Sequence, residues 1–345
     1  MHEWLLGSNA TVANERINLA GAKTQLAKVR CIVSQLLKKN IINKQGVRLL
    51  DCSYDQSLVA KKPDWKHFQK EFYGNFSKLL AEPCTSRELY LSGHIPTASH
   101  ICLDVATYPS EYERYAIYPP EIFQEYIQTL GINADDHLIL YARGPLGGML
   151  HSSRFAWLFK TYGHEKVSVV DGGYDEWVKQ GYETSKDEVK LSRGTWKAVD
   201  NFLKYNLKYE LLEGDHGDRK YIEYINDINL IDARGRGQFE GTAPTDLPPN
   251  VVGTHIPGFK NLPAAELVKE NLMKSPDDIK EWLGDREFHP HRPAVVMCNV
   301  GLQAAMVAYA IETVYPNLLV QVYNGSMNEM AMRNPKRISS VIESS

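Results

Sequence analysis

No apolar run in this chain approaches the roughly 20 residues that a bilayer-spanning helix requires. Charge of either sign is in no great excess: the net charge is −3, so no broad field recruits nucleic acid or an anionic membrane surface. Cysteine is sparse. The five (Cys31, Cys52, Cys84, Cys102 and Cys298) are odd in number, scattered and without CxxC spacing. That pattern argues against a disulfide framework and a structural zinc site, and for a reducing compartment with a free thiol. No metal and no cofactor are expected. The phosphate-loop signature GxxxxGK[ST] is missing, and GPLGG at 144–148 is too loose to replace it. The N-terminus lacks a basic stretch followed by an apolar one and carries Glu3 and Glu15, which weakens a leader reading. A cytoplasmic location is the expectation, with the mitochondrial matrix as the alternative.

What the chain does have is an internal repeat. Its 345 residues suggest two domains, and its 43% apolar and 23% charged residues are those of a soluble globular protein. Four blocks recur in order. VRLLDCSYD around Asp51 answers to INLIDARGR around Asp232, and GHIPTA around His94 to THIPGF around His255. HLILYARGPLGG around Ala142 answers to PAVVMCNVGLQA around Cys298, and VSVVDGGYDEW around Asp171 to VQVYNGSMNEM around Asn324. The offsets shrink from 181 through 161 and 156 to 153, so the first copy carries insertions, chiefly within 55–92.

The runs LLD, LILY, VSVVD, INLID, AVVM and VQVY do not alternate, which suits strands of a parallel sheet buried on both faces. Between them PPEIFQEYIQTLG, SSRFAWLFKTYG, DDIKEWLG and QAAMVAYAIETVYP have helical spacing, with Gly131, Gly163 and Gly284 at expected helix C-caps. The predicted class is α/β, built twice. Residues 1–30 read as an N-terminal extension, 31–185 as the first domain, 186–215 as a linker and 216–345 as the second domain.

Cys298 directly follows the strand Ala294–Met297 and precedes a helix beginning near Leu302 or Gln303. Ligands of open α/β sheets bind at the carboxyl ends of the strands. A loop entering a helix N-terminus turns amides inward, and the helix dipole adds positive potential, which favours a reactive thiolate at the sheet's mouth. Gly301 lets the chain wrap closely around the sulfur. A buried cysteine acting as a small hydrophobe is the bland alternative. The silent Ala142 at the matching place in the first copy favours function.

These blocks, with LIDARGRGQFEGT, resemble the two-domain sulfurtransferases of the rhodanese (thiosulfate) and 3-mercaptopyruvate family over roughly 31–185 and 216–335. The resemblance implies two tandem rhodanese-like domains, each a mainly parallel sheet flanked by helices, the first without the catalytic cysteine. It implies an active-site loop Cys298, Asn299, Val300, Gly301, Leu302 and Gln303. It also implies a ping-pong cycle in which Cys298 takes sulfur from a small donor as a persulfide and passes it to a thiol or cyanide. A thioredoxin-like reductant is a conceivable acceptor.

The chain departs from that pattern. Asn299 and Val300 stand where thiosulfate-type members carry Arg and Lys, and where mercaptopyruvate-type members carry Gly and Ser or Thr. Gln238 and Leu247 replace donor-binding arginines. Arg236, two residues before Gln238, is a substitute candidate, although a structural reading is favoured for both Arg234 and Arg236. A weakly active or non-catalytic scaffold, or a redox sensor using Cys298, is therefore the second reading. His94 and His255 occur in both copies, which favours structural roles, and Asp51, Asp171 and Asp232 read as caps of neighbouring backbone. Arg143, beside Ala142, either fills the silent pocket or faces solvent. Ala304 stands where a cysteine phosphatase needs its Cys-x5-Arg arginine.

Overall fold

The computed structural model describes residues 30–32, 44–59 and 63–339. The expected N-terminal extension, apart from Arg30, lies outside the described residues. Five strands form the first sheet: β1 (Arg30–Ile32), β2 (Val47–Asp51), β3 (Ser99–His100), β4 (His137–Tyr141) and β5 (Val167–Asp171). Five more form the second: β6 (Asn206–Leu207), β7 (Asn229–Asp232), β8 (Lys260–Asn261), β9 (Ala294–Met297) and β10 (Val320–Tyr323). The orders are β1-β5-β4-β2-β3 and β6-β10-β9-β7-β8, the same pattern twice, and all neighbours are parallel. β7, β9 and β10 are buried at every position, as helices on both faces require.

The helices that matter below are α1 (Pro120–Thr129), α2 (Met149–Thr161), α3 (Gly173–Lys179), α4 (Arg236–Glu240), α5 (Pro276–Gly284), α6 (Leu302–Val314) and α7 (Ser326–Arg333). α2 and α6 are buried nearly all round, as helices with no solvent face must be. They pack on each other across the domain boundary, so Met149, Ala156 and Phe159 share one apolar cluster with Ala304, Ala305 and Ala308. Lys160 and Glu312 close the edge of this contact at 2.5 Å.

Residues 186–215, read as the linker, pack against both domains as they pass between them, and one expectation, for Gly284, is corrected. The Gly194 and Trp196 amides donate to Gln128 O and Ile132 O at 2.8 and 3.1 Å, and the Trp196 ring is buried in the first domain. Ten residues on, Asn206–Leu207 pairs with β10 as the edge strand of the second sheet. A large aromatic needs cover and β10 needs a neighbour; the segment supplies both. Gly284 is not a cap beyond its helix but its last residue, the cap being Asp285. Gly131 and Gly163 do follow α1 and α2 in the left-handed conformation, at φ 68° and 82°.

The final step of the repeat offset is also located. Gly148 caps α2 six residues after Ala142, whereas Gly301 caps α6 three residues after Cys298. Both glycines are left-handed, at φ 72° and 83°. The silent loop thus carries three extra residues.

Candidate active site

Cys298 leaves the end of β9 and its loop turns at once into α6. The Gly301 amide donates to Cys298 Sγ at 3.2 Å. Gly301 adopts φ 83°, a conformation that costs an L side chain about 1–2 kcal/mol. A Cβ there would also lie 2.7 Å from Asn324 Oδ1 and 3.1 Å from Arg154 Nη1. The thirteen-residue α6 directs its N-terminus at the loop, adding positive potential where a sulfur anion would sit.

The loop is held from behind by the turn after β10. The Cys298 amide donates to Ser326 Oγ at 3.1 Å, and that hydroxyl donates to Tyr323 O at 2.7 Å. The Met327 amide donates to Cys298 O at 3.0 Å. In the first domain the Tyr174 amide makes the same bond to Ala142 O at 3.0 Å. Gly173 and Ser326 are equivalent and have φ 55° and 53°. The second copy therefore keeps a side chain in a conformation that the first assigns to glycine, and uses its hydroxyl to fix the cysteine.

The sulfur does not lie open at the mouth of the sheet. Cys298 is 1% exposed, and first-domain groups reach its loop. Thr107–Tyr108 and Ala116–Ile117 pair antiparallel, and the carbonyl of Tyr115 from this hairpin accepts Arg154 Nη2 at 3.1 Å and Asn324 Nδ2 at 2.8 Å. Glu113 of the same hairpin accepts a second bond from Asn324 Nδ2 at 2.5 Å. Arg154, from the middle of α2, is fully buried, lies over the Trp157 ring at 4.3 Å, and reaches Gly301 O through Nη1 at 3.5 Å. Arg154 Nε and Asn324 Oδ1 are buried without a protein partner among the described residues.

Burial drives the electrostatics here. Desolvation pulls the Arg154 guanidinium down to about 10, opposed by the nearby Glu113 carboxylate, so it remains a cation at neutral pH. Burial pushes the Glu113 carboxyl up to about 7, and the nearby Glu329 adds to this while the Asn324 amide opposes it. A buried cation, a helix N-terminus and an inward amide thus converge on one thiol.

Of the residues read from the sequence, Cys298, Gly301, Leu302 and Gln303 lie together, the last two opening α6. Asn299 and Val300 are partly exposed on the loop, with Asn299 held from behind by the Asn328 amide at 3.2 Å to its carbonyl. Arg236 and Gln238 sit on α4, engaged elsewhere: Arg236 with Glu266 at 2.6 Å, Gln238 with Pro244 O at 3.3 Å. Arg234 is buried on Asp232 at 2.6 Å. Asp51, Asp171 and Asp232 each accept a backbone amide, from Ser53, Met273 and Arg234. His94 stacks on Tyr90 and His255 on Phe239, both at 4.1 Å, which makes them packing elements. Arg143 stays in the first domain, stacked on Tyr174 at 4.2 Å and bonded to Ser53 and Gly93.

Sequence reading missed Arg154, Glu113, Asn324 as a cross-domain donor, and Ser326. The signal for Arg154 was present: SSRFAWLF puts a charge inside an apolar helix, which a fully buried helix tolerates only with a purpose.

Comparison with known proteins accords with this geometry. The model of the rhodanese-like domain matches residues 34–180 and 219–333. A Caenorhabditis elegans protein named "Putative thiosulfate sulfurtransferase mpst-1" is 51% identical over 89% of this chain and 94% of its own length. Mus musculus thiosulfate sulfurtransferase is 30% identical over 72% of this chain and 81% of its own. The crystal structure of SseA from Escherichia coli, described as a 3-mercaptopyruvate sulfotransferase with the rhodanese fold, superposes with a TM-score of 0.67 at 25% identity. It covers 87% of this chain and 98% of its own. With two matched regions and relatives that align over most of its length, the chain belongs to the rhodanese-like domain family.

Proposed function

We propose that this protein is a sulfurtransferase of the thiosulfate or 3-mercaptopyruvate type, with Cys298 as the sulfur carrier. The observation that carries the reading is the setting of Cys298 at the end of β9, with the Gly301 amide on its sulfur and the buried Arg154 behind the loop. The Cys298 thiolate attacks the outer sulfur of the donor. The new S–S bond forms as the donor's bond to that sulfur breaks, and its electron pair leaves on sulfite or on the pyruvate enolate. An acceptor thiolate or cyanide then takes the outer sulfur, and the pair returns to Cys298 as thiolate.

The loop amides of Asn299, Val300, Gly301, Leu302 and Gln303 are the proposed cradle for the persulfide anion. Arg154 supplies a fixed cation that needs no reorganisation during the reaction. Arg236 and Gln238 are weak candidates for donor binding, since Arg236 must first leave Glu266. A small anionic donor, a thiol or cyanide acceptor and a thioredoxin-like reductant are the proposed partners. Burial of Cys298 implies that the hairpin over its loop yields before the donor enters.

Intact-mass measurement after incubation with thiosulfate or 3-mercaptopyruvate tests the reading. One added sulfur, removed by reductant and absent in Cys298→Ser, is expected. No gain with either donor would leave the scaffold reading, which the burial of Cys298 and the pairing of Arg236 favour.

A further inference from the structure

Two further thiols lie together in the first domain, on segments that the sequence separates. Cys84 Sγ and Cys102 Sγ are 3.5 Å apart. Cys84 caps the N-terminus of the eight-residue helix Thr85–Ser92 and is partly exposed. Cys102 is buried at the start of the helix Leu103–Ala106, its amide donating to Tyr126 Oη at 3.0 Å. A disulfide bond of about 2.05 Å requires the sulfurs to approach by only about 1.5 Å, within the reach of small side-chain rotations.

We propose that Cys84 and Cys102 are a dithiol that closes reversibly into an intramolecular disulfide when the protein meets a hydroperoxide. The partners have different roles. Cys84 is held down to about 6 by the Cys102 thiol that donates to it, with the Ser86 and Arg87 amides assisting and burial opposing. Cys102 is driven up by the same hydrogen bond and by burial, so it stays protonated. Cys84, the more accessible and the more anionic, reacts first. Its thiolate attacks a peroxide oxygen, the O–O bond breaks, and the leaving oxygen takes a proton, giving a sulfenic acid and water or an alcohol. The Cys102 sulfur then attacks the sulfenic sulfur, the S–S bond forms and water departs. Two thiols lose two electrons and the peroxide gains them. Cys52 offers no competing partner of this kind: it is buried and donates to Leu50 O at 3.7 Å.

Peptide mapping of the full chain tests this independently of sulfur transfer. The pre-reduced protein is treated with hydrogen peroxide, alkylated and cut with trypsin, which separates Leu79–Arg87 from Glu88–Arg114. The expected result is a linked pair of these peptides that dithiothreitol releases. Alkylation of Cys84 should fall about tenfold or more and recover on reduction. The link should form equally in Cys298→Ser and vanish in Cys84→Ser and Cys102→Ala. Cys84 remaining alkylatable, Cys84 bridged to any other cysteine, or a loss of alkylation that is the same in Cys102→Ala would each overturn the proposal.

Discussion

Asn324, at the end of β10 in the second domain, donates to the main-chain oxygen of Tyr115 in the first at 2.8 Å. Its counterpart Asp171, at the end of β5, accepts the Met273 amide of the second domain at 2.8 Å. The Met273 strand belongs to the hairpin formed by Val268–Lys269 and Leu272–Met273, which matches the hairpin bearing Tyr115. Each domain therefore lays a hairpin over the other's strand-end loop. The silent loop is sealed closely, since a Cβ on Gly147 would lie 2.0 Å from Asn271 O. The Cys298 loop is covered through polar groups instead.

Replacing Asn324 with Ala removes the bonds to Tyr115 O and Glu113. The expected loss of stability is about 1–3 kcal/mol, for hydrogen bonds at a largely buried site. Alkylation of Cys298 by a small reagent should quicken, because the hairpin is less firmly tied. Denaturant unfolding and alkylation kinetics check the two parts. An unchanged alkylation rate would contradict the covering role.

Arg154→Met separates charge from folding. Two carbonyls lose a donor, but a desolvated cation is also removed, so stability should change by less than about 2 kcal/mol. Persulfide formation from anionic donors should fall about tenfold or more, with Arg154→Lys in between. Stopped-time mass measurement of persulfide, with a melting curve alongside, distinguishes this from simple misfolding.

Glu113 predicts a pH dependence of stability. Its carboxyl is raised in the folded state, to about 7, from an ordinary value of 4.5. The folded chain therefore binds more protons than the unfolded one across that interval. The contribution is full below about 4.5 and is lost as pH rises through about 7. Glu113→Gln should flatten the decline in melting temperature between those values; an identical slope in both proteins would refute the assignment.

Gly301→Ala places a Cβ at φ 83° beside Asn324 and Arg154. The Cβ meets two hydrogen-bonded side-chain ends and, at 3.1 Å, the Asn324 main-chain oxygen, so crowding adds to a conformational cost of about 1–2 kcal/mol. Because the Gly301 amide is the donor to the sulfur, persulfide formation should fall more than stability does. Comparing single-turnover rates with unfolding midpoints tests it.

Asn299→Arg with Val300→Lys restores cations on partly exposed loop positions. Thiosulfate turnover should rise, at a stability cost of about 1 kcal/mol because Val300 also packs against the apolar core. Gln238→Arg is the parallel change for 3-mercaptopyruvate and should lower KM. Unaltered kinetics in both would mean that charge at these positions is not what limits the donor.

Much of the fold was legible in the sequence. The unbroken apolar runs marked buried parallel strands, and four blocks in order marked the duplication. Gly131 and Gly163 announced helix ends. Gly284 misled because a glycine late in a helix looks the same in sequence whether or not the chain turns there. β6 was hidden because Asn206–Leu207 is too short to show periodicity and gains its hydrogen bonds from β10, more than a hundred residues later.

The sequence alone determined that Cys298 follows a strand and precedes a helix, since that placement follows from local apolar pattern and one glycine. It also placed Ala142, which has no thiol, at the matching position of the first copy. Only tertiary structure decided that Arg154, Glu113 and Tyr115 of the first domain surround the second domain's loop, and that Cys84 meets Cys102. Those encounters depend on how two sheets and their helices pack, and packing joins residues whose neighbours along the chain carry no mark of it.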